Sequence, residues 1–247
     1  VDGNLWVWEA PDYTKSYMVV ADVARGDATD YSACHVFDIE TCTQVAEYKG
    51  KLSPKDFGNF LVGLASEYNE ALLVCENANI GWATIEQLLE REYRNIYYSS
   101  TSNTESVESY MNKYERDKLV PGFTMSMRTR PLVIAKMIEY VREKSVIIQS
   151  KRLMSEMRVF VWKNGKAQAQ VRYNDDLLIA CATALYVRDT ALKLRQQGMD
   201  LARAQLSSFN NLNSRNQAIV RTVGSQMDNP YLMKTNGGDE DISWLIK

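Results

Sequence analysis

The sequence predicts an α/β fold in which a mixed five-stranded sheet is flanked by helices and extended by an added β-hairpin. Three observations support this prediction. Short strand-like runs open the chain, helical and strand-like segments then alternate, and Asn164-Gly165 lies between two further strand-like runs. The 247 residues are 45% hydrophobic and 24% charged, which provides material for a sizeable core and excludes a mainly disordered chain.

The amino-terminal part of the chain predicts an antiparallel meander of three strands. Its three runs are short, apolar and separated by gaps of turn length: Ser16–Ala21, Ala33–Ile39 and Thr43–Tyr48. His35 lies in the middle of the second run, which favours a packed or half-exposed strand residue over a catalytic base.

Helices and buried strands alternate in the next part of the chain. Ser53-Pro54 is a typical helix cap and first helical position, and the apolar residues after it recur every three or four positions. Ala71–Cys75 is a continuous apolar run, as in a central parallel strand, and a second helix is predicted from about Gly81. Asn95–Tyr98 is the candidate for the fifth strand, and residues 99–108 are expected to form a loop.

The last predicted elements are a helix, the hairpin and a second, longer helix. The first of these helices begins at Pro131, and residues 146–157 connect it to the hairpin. An Asn-Gly pair favours a tight type I′ turn because both central residues of that turn need a positive φ. The longer helix opens at Asn174-Asp175-Asp176, and its inward face is predicted to be Leu177, Leu178, Cys181, Ala184, Leu185 and Ala191.

The formal net charge of −2 hides a segregation of charge along the chain. Residues 1–80 contain 13 acidic and 5 basic side chains, whereas residues 121–173 contain 11 basic and 3 acidic ones. A charge run is usually a solvated face, but an excess of this size within one segment favours a nucleic-acid partner. The candidates for contacts with a DNA backbone are Arg128, Arg130, Lys151, Arg152, Lys163 and Lys166.

Several classes of protein are excluded or disfavoured. No stretch approaches the roughly 18 apolar residues of a membrane span, and the first residues lack the layout of a signal peptide. The four cysteines have no metal-binding spacing and are expected to be free, buried thiols. The sequence contains no P-loop and no G-x-S-x-G motif, which excludes a P-loop ATPase within this chain.

Four acidic residues are predicted to meet at one edge of the sheet. Asp22 and Glu76 each end a strand, and right-handed crossovers place those two strands side by side. Asp175 and Asp176 lie in the first turn of the helix that is expected to close across this edge, where open α/β sheets bind ligands. Taken singly, each acid also has an ordinary explanation as part of a turn, a strand end or a helix cap.

Taken together, these acids favour a site for Mg²⁺ or Mn²⁺, because crowded carboxylates raise one another's pKa unless a cation lies among them. Asp30 is a weaker additional candidate, since its loop can either fold back on the site or simply form a turn. Two such ions can activate a water molecule and stabilise the leaving oxygen in the hydrolysis of a phosphodiester.

Four segments of the sequence together resemble the nuclease domain of the large terminase subunit of tailed bacteriophages, most closely the T-even-like group. These segments are Val19–Gly26, Asp30–Ala33, Cys75–Asn77 and Asp175–Leu177. The resemblance covers most of residues 15–195 and implies an RNase H-like fold that cuts concatemeric viral DNA with a triad of metal-binding acids. Asp22 and Glu76 match the first two acids of that triad, and the Asp175-Asp176 pair contains the third.

The resemblance also implies a domain organisation and partners. Members of the family have an ATPase domain ahead of the nuclease, so the chain is expected to be a carboxy-terminal piece of a longer protein. Residues 1–14 would then be the remnant of an interdomain linker, residues 15–209 the nuclease domain and residues 210–247 a flexible tail. The expected partners are double-stranded DNA, that ATPase domain, the portal and the small terminase subunit, with no membrane, in the cytoplasm of the host cell.

The leading hypothesis is a metal-dependent DNA endonuclease with little sequence preference, because no recognition-helix pattern accompanies the basic residues. The alternative is a non-catalytic module that grips DNA and docks on the portal, in which the acids are structural. A third hypothesis, an RNase H-like ATPase of the actin or sugar-kinase sort, requires a second glycine-rich phosphate loop, and none is visible before the tail.

Overall fold

The computed structural model describes residues 3–25, 31–78, 80–100, 119–163, 166–189, 191–192, 232–235 and 238–241. The chain divides into two compact units, Val1–Leu194 and Arg195–Lys247. The first unit contains the elements that build the predicted site.

A sheet of five strands forms the centre of the first unit. The strands are β1 (Leu5–Val7), β2 (Tyr17–Asp22), β3 (Ser32–Asp38), β4 (Thr43–Gly50) and β5 (Leu72–Cys75). Their order in the sheet is β1-β4-β3-β2-β5. The strands β2, β3 and β4 form the predicted antiparallel meander, and β5 runs parallel to β2 after a helical crossover. This arrangement confirms the predicted mixed five-stranded sheet.

Five helices are present among the described residues of the first unit. They are α1 (Pro54–Glu67), α2 (Gly81–Glu90), α3 (Thr129–Arg142), α4 (Lys151–Val159) and α5 (residues 176–189 and 191–192). Ser53 caps α1 as predicted, because its hydroxyl accepts a hydrogen bond from the Asp56 amide while Pro54 occupies the first helical position. The helix α3 begins at Thr129, shortly before the predicted Pro131.

Each face of the sheet is covered by a hydrophobic core. Strand side chains alternate between the faces, so Val19 belongs to the core that contains residues of α1 and α2, and Val20 belongs to the core that contains residues of α3, α4 and α5. We call the second side the α5 face. The predicted inward face of α5 is buried there: Leu177, Leu178, Cys181, Ala184, Leu185 and Ala191. The four cysteines are free and buried, as predicted.

The fifth strand differs from the sequence prediction. The segment Asn95–Tyr98 is not a strand of this sheet: Ile96 makes an isolated parallel bridge to Leu73 of β5, and from Tyr98 the chain pairs as β6 (Tyr98–Ser100) with β7 (Leu119–Pro121). The fifth strand is instead β1, which pairs with β4 and lies inside the predicted linker 1–14. A strand of three residues is too short to show a two-residue period, so sequence reasoning misses it. The division of the chain at residues 14 and 209 stays a prediction.

A second difference is α4, which occupies part of the predicted connection 146–157. Ser150 caps this helix by accepting a hydrogen bond from the Leu153 amide. Leu153 and Glu156 are its buried residues, and the helix as a whole is polar, so in the sequence it resembles a connecting segment. The helix matters for function because Glu156 and Arg152 both reach the face of the sheet that α5 covers.

The added hairpin is present, since β8 (Phe160–Lys163) pairs antiparallel with β9 (Lys166–Ala169). Its predicted turn, Asn164-Gly165, lies outside the described residues. In the second unit, within the predicted flexible tail, β10 (Leu232–Thr235) pairs antiparallel with β11 (Gly238–Asp241), and the rest of that tail lies outside the described residues. None of the described helices has the length and apolar character that a membrane crossing requires.

Candidate active site

Four side chains form a row across the sheet where β2 and β5 end. The residues before Asp22 and Glu76 pair with each other in parallel register, so these two acids are neighbours on adjacent strands. On the other side Asp22 pairs with Ala33, which pairs in turn with Lys49. Ala33 is buried in the core of the α5 face, and residues in register across a sheet share a face. The row therefore lies on the side that α5 covers.

The side chains of Asp22 and Glu76 lie close enough to shift each other's pKa. Burial raises the pKa of Asp22 well above its usual value, and the negative charges of Glu76 and Asp176 raise it further. Burial also raises the pKa of Glu76, although the interaction with the Asp22 side chain and the positive charge of Arg130 partly oppose this. The pair therefore holds a proton on Asp22 more firmly than an isolated aspartate would.

Asp176, in the first turn of α5, is held through one carboxylate oxygen. Its Oδ2 accepts hydrogen bonds from the Tyr31 amide at 3.3 Å and from Asn174 Nδ2 at 3.2 Å, and it lies 3.8 Å from Lys49 Nζ. Burial raises the pKa of Asp176, and the charge of Lys49 lowers it. Asp176 raises the pKa of Asp22 more than Asp175 does, so the charge of Asp176 acts more strongly on Asp22.

Asp175 has a different partner, the guanidinium group of Arg130 at the start of α3. Arg130 Nη2 donates a hydrogen bond to Asp175 Oδ2 at 3.1 Å. Since the charge of Arg130 also lowers the pKa of Glu76, this arginine acts on two of the predicted acids. We call Asp22, Glu76, Asp175 and Asp176 the acidic cluster, and Arg130 is its counter-ion.

The structure thus brings Asp22, Glu76, Asp175 and Asp176 to the same edge of the sheet, as the sequence predicts. Among the described residues, no three histidine, cysteine, aspartate or glutamate side chains are already arranged to hold one metal ion. The contacts of the two aspartates of α5 contribute to this, because Asp175 and Asp176 bond to protein donors. The roles of the four acids as ligands stay a prediction, and Asp30 lies outside the described residues.

Two glycines allow the chain to pass close to Glu76. A Cβ at Gly81, the first residue of α2, would overlap the carbonyl oxygen of Glu76. Gly122 has a φ of +86°, and a Cβ there would lie 2.6 Å from the carbonyl oxygen of Cys75. Both positions therefore require glycine, and together they fix the backbone on either side of Glu76. Sequence reasoning assigned Gly81 only to a helix start and did not single out Gly122.

Lys49 and Glu156 are members of the site that sequence reasoning missed. The Lys49 ammonium group forms an ion pair with Glu156 Oε1, and Glu156 Oε2 accepts a hydrogen bond from the Leu178 amide at 3.0 Å. Nothing local in the sequence marks either residue, because their contact joins β4 to α4.

Some of the predicted DNA-binding residues are exposed, and others form ion pairs within the protein. Arg128, Lys151 and Lys163 are exposed, and no ion pair joins them to another described residue. Arg130 bonds to Asp175. The side chain of Lys166 lies outside what the structure describes.

Arg152, the remaining candidate, is part of a buried polar network. Its Nε donates to Glu47 Oε1 at 2.7 Å, and its guanidinium carbon lies 3.9 Å from the centre of the Trp6 ring. Gln44 Nε2 lies 3.2 Å from Glu47 Oε2 and 2.8 Å from His35 Nδ1. These contacts favour a structural role for Arg152.

His35 links this network to α5, because its Nε2 lies 2.8 Å from the Leu177 carbonyl oxygen. Burial lowers the pKa of His35 and keeps the ring neutral. The prediction of a packed strand histidine is confirmed. By fixing the first turn of α5 on the sheet, the histidine also helps to place the neighbouring Asp176.

An open groove of about 480 Å³ lies next to Arg130, between the start of α3 and the hairpin. Its lining includes Met125, Ser126, Pro131, Ile134, Trp162 and Gln168. Arg130 and the hairpin therefore line the same groove.

No protein-family model matches the sequence. Solved structures do match its fold. The large terminase nuclease of the thermophilic phage G20c with bound magnesium aligns with a TM-score of 0.58 and 18% identity, over 75% of this chain and 88% of that chain. The large terminase nuclease domain of Thermus phage P74-26 aligns with a TM-score of 0.55 and 19% identity, over 74% and 84% of the two chains. The G20c nuclease has also been solved with cobalt. At these identities the likeness concerns the fold, and it confirms the predicted RNase H-like class.

Proposed function

We propose that this chain is a divalent-metal-dependent endonuclease that cuts double-stranded viral DNA during genome packaging, with little sequence preference. The observation that supports this best is the gathering of Asp22, Glu76, Asp175 and Asp176 at one edge of an RNase H-like sheet. The matching structures add support, since both are described as nucleases of large terminases.

The donor set fits Mg²⁺ or Mn²⁺. Carboxylate oxygens are the hard ligands that such ions prefer. Burial raises the pKa of Asp22 and the negative charges of Glu76 and Asp176 raise it further, and a divalent cation would relieve that repulsion. Asp22 and Glu76, with Asp176 or Asp175, are the residues that would hold the ions. Bound there, divalent ions supply an activated water and stabilise the leaving oxygen in phosphodiester hydrolysis.

The protein's own groups prepare this chemistry. The raised pKa makes Asp22 harder to ionise, so a metal ion would compete with a proton for this carboxylate, and metal binding should strengthen as the pH rises. Arg130 balances the charge of Asp175 and Glu76 before a metal ion binds. Arg128, Lys151 and Lys163 are exposed cations suited to phosphate contacts, which position DNA without reading its sequence. Lys166 is the fourth candidate on sequence grounds.

The same proposal extends to the protein partners and the location of the chain. An ATPase domain in the full-length protein, the portal and the small terminase subunit are the proposed protein partners, and the cytoplasm of the host cell is the proposed location. These partners rest on the resemblance of the four sequence segments to terminase nucleases.

A plasmid-nicking assay with Mg²⁺, Mn²⁺ or chelator tests the proposed function. The Glu76→Gln variant is expected to lose at least a hundredfold in rate, because removing a group that positions a catalytic ion costs several kcal/mol of transition-state stabilisation. Glu86→Gln, which removes an exposed acid from α2, is the matched control and is expected to cut at the parental rate. DNA binding without metal-dependent nicking by the parent would instead support the non-catalytic gripping module.

A further inference from the structure

Lys49 lies between two carboxylates that are largely shielded from solvent. Its ammonium group pairs with Glu156 Oε1 and lies 3.8 Å from Asp176 Oδ2. The exposed fractions of these side chains are 16% for Lys49, 9% for Glu156 and 15% for Asp176. One cation therefore serves two shielded acids.

Neither acid can easily turn away from the lysine. Glu156 is tied to the first turn of α5, because its second oxygen accepts the Leu178 amide hydrogen bond at 3.0 Å. Asp176 is tied to the Tyr31 amide at 3.3 Å. Without Lys49, two held carboxylates would face each other with no counter-ion between them, which is the arrangement that attracts a hard divalent cation.

We propose that Lys49 is a tethered cation that occupies a position between Glu156 and Asp176 where a divalent ion would otherwise bind. It is a positioning residue, which keeps Glu156 out of the metal site and confines ions to the side of Asp176 that faces Asp22 and Glu76. This inference rests on the proposed function, because it assigns a role to Lys49 in the same acidic site.

The neighbouring Lys51 provides a matched control. Both ammonium groups lie over the ring of Tyr31, at 5.1 Å for Lys49 and 5.0 Å for Lys51. Lys51 forms no ion pair with a carboxylate among the described residues, so Lys51→Gln removes a similar charge without uncovering two acids.

The test measures Mn²⁺ binding by the full chain in the absence of DNA. Electron paramagnetic resonance counts bound Mn²⁺, and thermal unfolding with Mn²⁺ or chelator gives the metal-induced rise in Tm. Lys49→Gln is expected to bind at least one more Mn²⁺ than the parent and to show a larger metal-induced rise in Tm. Lys49→Arg, Lys51→Gln and the double variant Lys49→Gln with Glu156→Gln are expected to match the parent.

Each result decides the inference. Parental Mn²⁺ stoichiometry and a parental rise in Tm for Lys49→Gln would overturn it, as would an extra ion that persists in the double variant. A Lys49→Gln protein that folds only with Mn²⁺ supports the inference, and one that Mn²⁺ does not rescue contradicts it. Because no cleavage is measured, this pattern can hold even if the parent fails to nick DNA, which would refute the proposed function alone.

Discussion

The Arg152→Ala substitution tests whether Arg152 stabilises the fold or contacts DNA. The substitution removes the partner of Glu47, whose side chain is 0% exposed, while Arg152 itself is 23% exposed. Leaving a buried charge unpaired costs about 3–5 kcal/mol, and the solvent access of Arg152 places the expected loss near the lower end, at about 3 kcal/mol. The stacking of Arg152 on Trp6 adds to the loss. Since each kcal/mol shifts Tm by roughly 2–4 °C in a domain of this size, Tm should fall by roughly 6–12 °C.

The assay compares Arg152→Ala with Lys151→Ala, its exposed neighbour on α4. Lys151→Ala should change stability by less than about 0.5 kcal/mol, because an exposed side chain without an ion pair is removed. If Lys151 contacts a phosphate, its loss should lower the slope of log K against log salt by about 1, whereas Arg152→Ala should leave that slope unchanged.

A double variant completes the test of the buried pair. Adding Glu47→Gln to Arg152→Ala should recover part of the lost stability, because no charge is then buried without a partner. An Arg152→Ala protein with the parental Tm and a smaller salt slope would refute the reasoning, since it would make Arg152 a DNA contact with no role in the fold.

Three further predictions concern the site and its support. The pKa of Asp22 is raised in the folded protein, so folding becomes less favourable as the pH rises above about 3.9, the pKa of an aspartate in the unfolded chain. Asp22→Asn should therefore raise Tm in chelator at pH 8, and an unchanged Tm would contradict this. The pKa of His35 is lowered in the folded protein, so His35 of the unfolded chain takes up a proton at a higher pH, and the free energy of unfolding should fall as the pH drops below about 6.5. His35→Gln should make this dependence of stability on pH less steep in acid titrations followed by circular dichroism. Gly122→Ala should lower the free energy of unfolding by at least ~1 kcal/mol in urea titrations and reduce nicking through Glu76, whereas a neutral effect would show that this backbone can shift.

Features of the site that depend on local pattern were predictable from the sequence. A strand that ends in an acid is visible directly, and the right-handed crossover rule places β2 beside β5, so the contact of Asp22 with Glu76 follows from two simple observations. The apolar face of α5 is also a local pattern, and it places Asp176 at the same edge. The short β1 and the predominantly polar α4 were missed, because a strand of three residues shows no period and a polar helix resembles a connecting segment.

The ion pairs in and near the site were not predictable, because each joins residues that are far apart in the sequence. Lys49 and Glu156 are 107 residues apart in sequence, and Arg152 and Glu47 are 105 apart. A charged residue on a strand or on a predominantly polar helix has the pattern of a solvated face, and only the tertiary packing shows that it is shielded.

These contacts change the meaning of the charge segregation in the sequence. Part of the basic excess in residues 121–173 does not face a ligand, because Arg152 neutralises Glu47 of the acidic segment and Arg130 neutralises Asp175. Conversely, Glu156 of the basic segment forms an ion pair with Lys49 of the acidic segment. The two segments are therefore electrostatic partners within the fold, and the exposed cations rather than the total count should set the affinity for DNA.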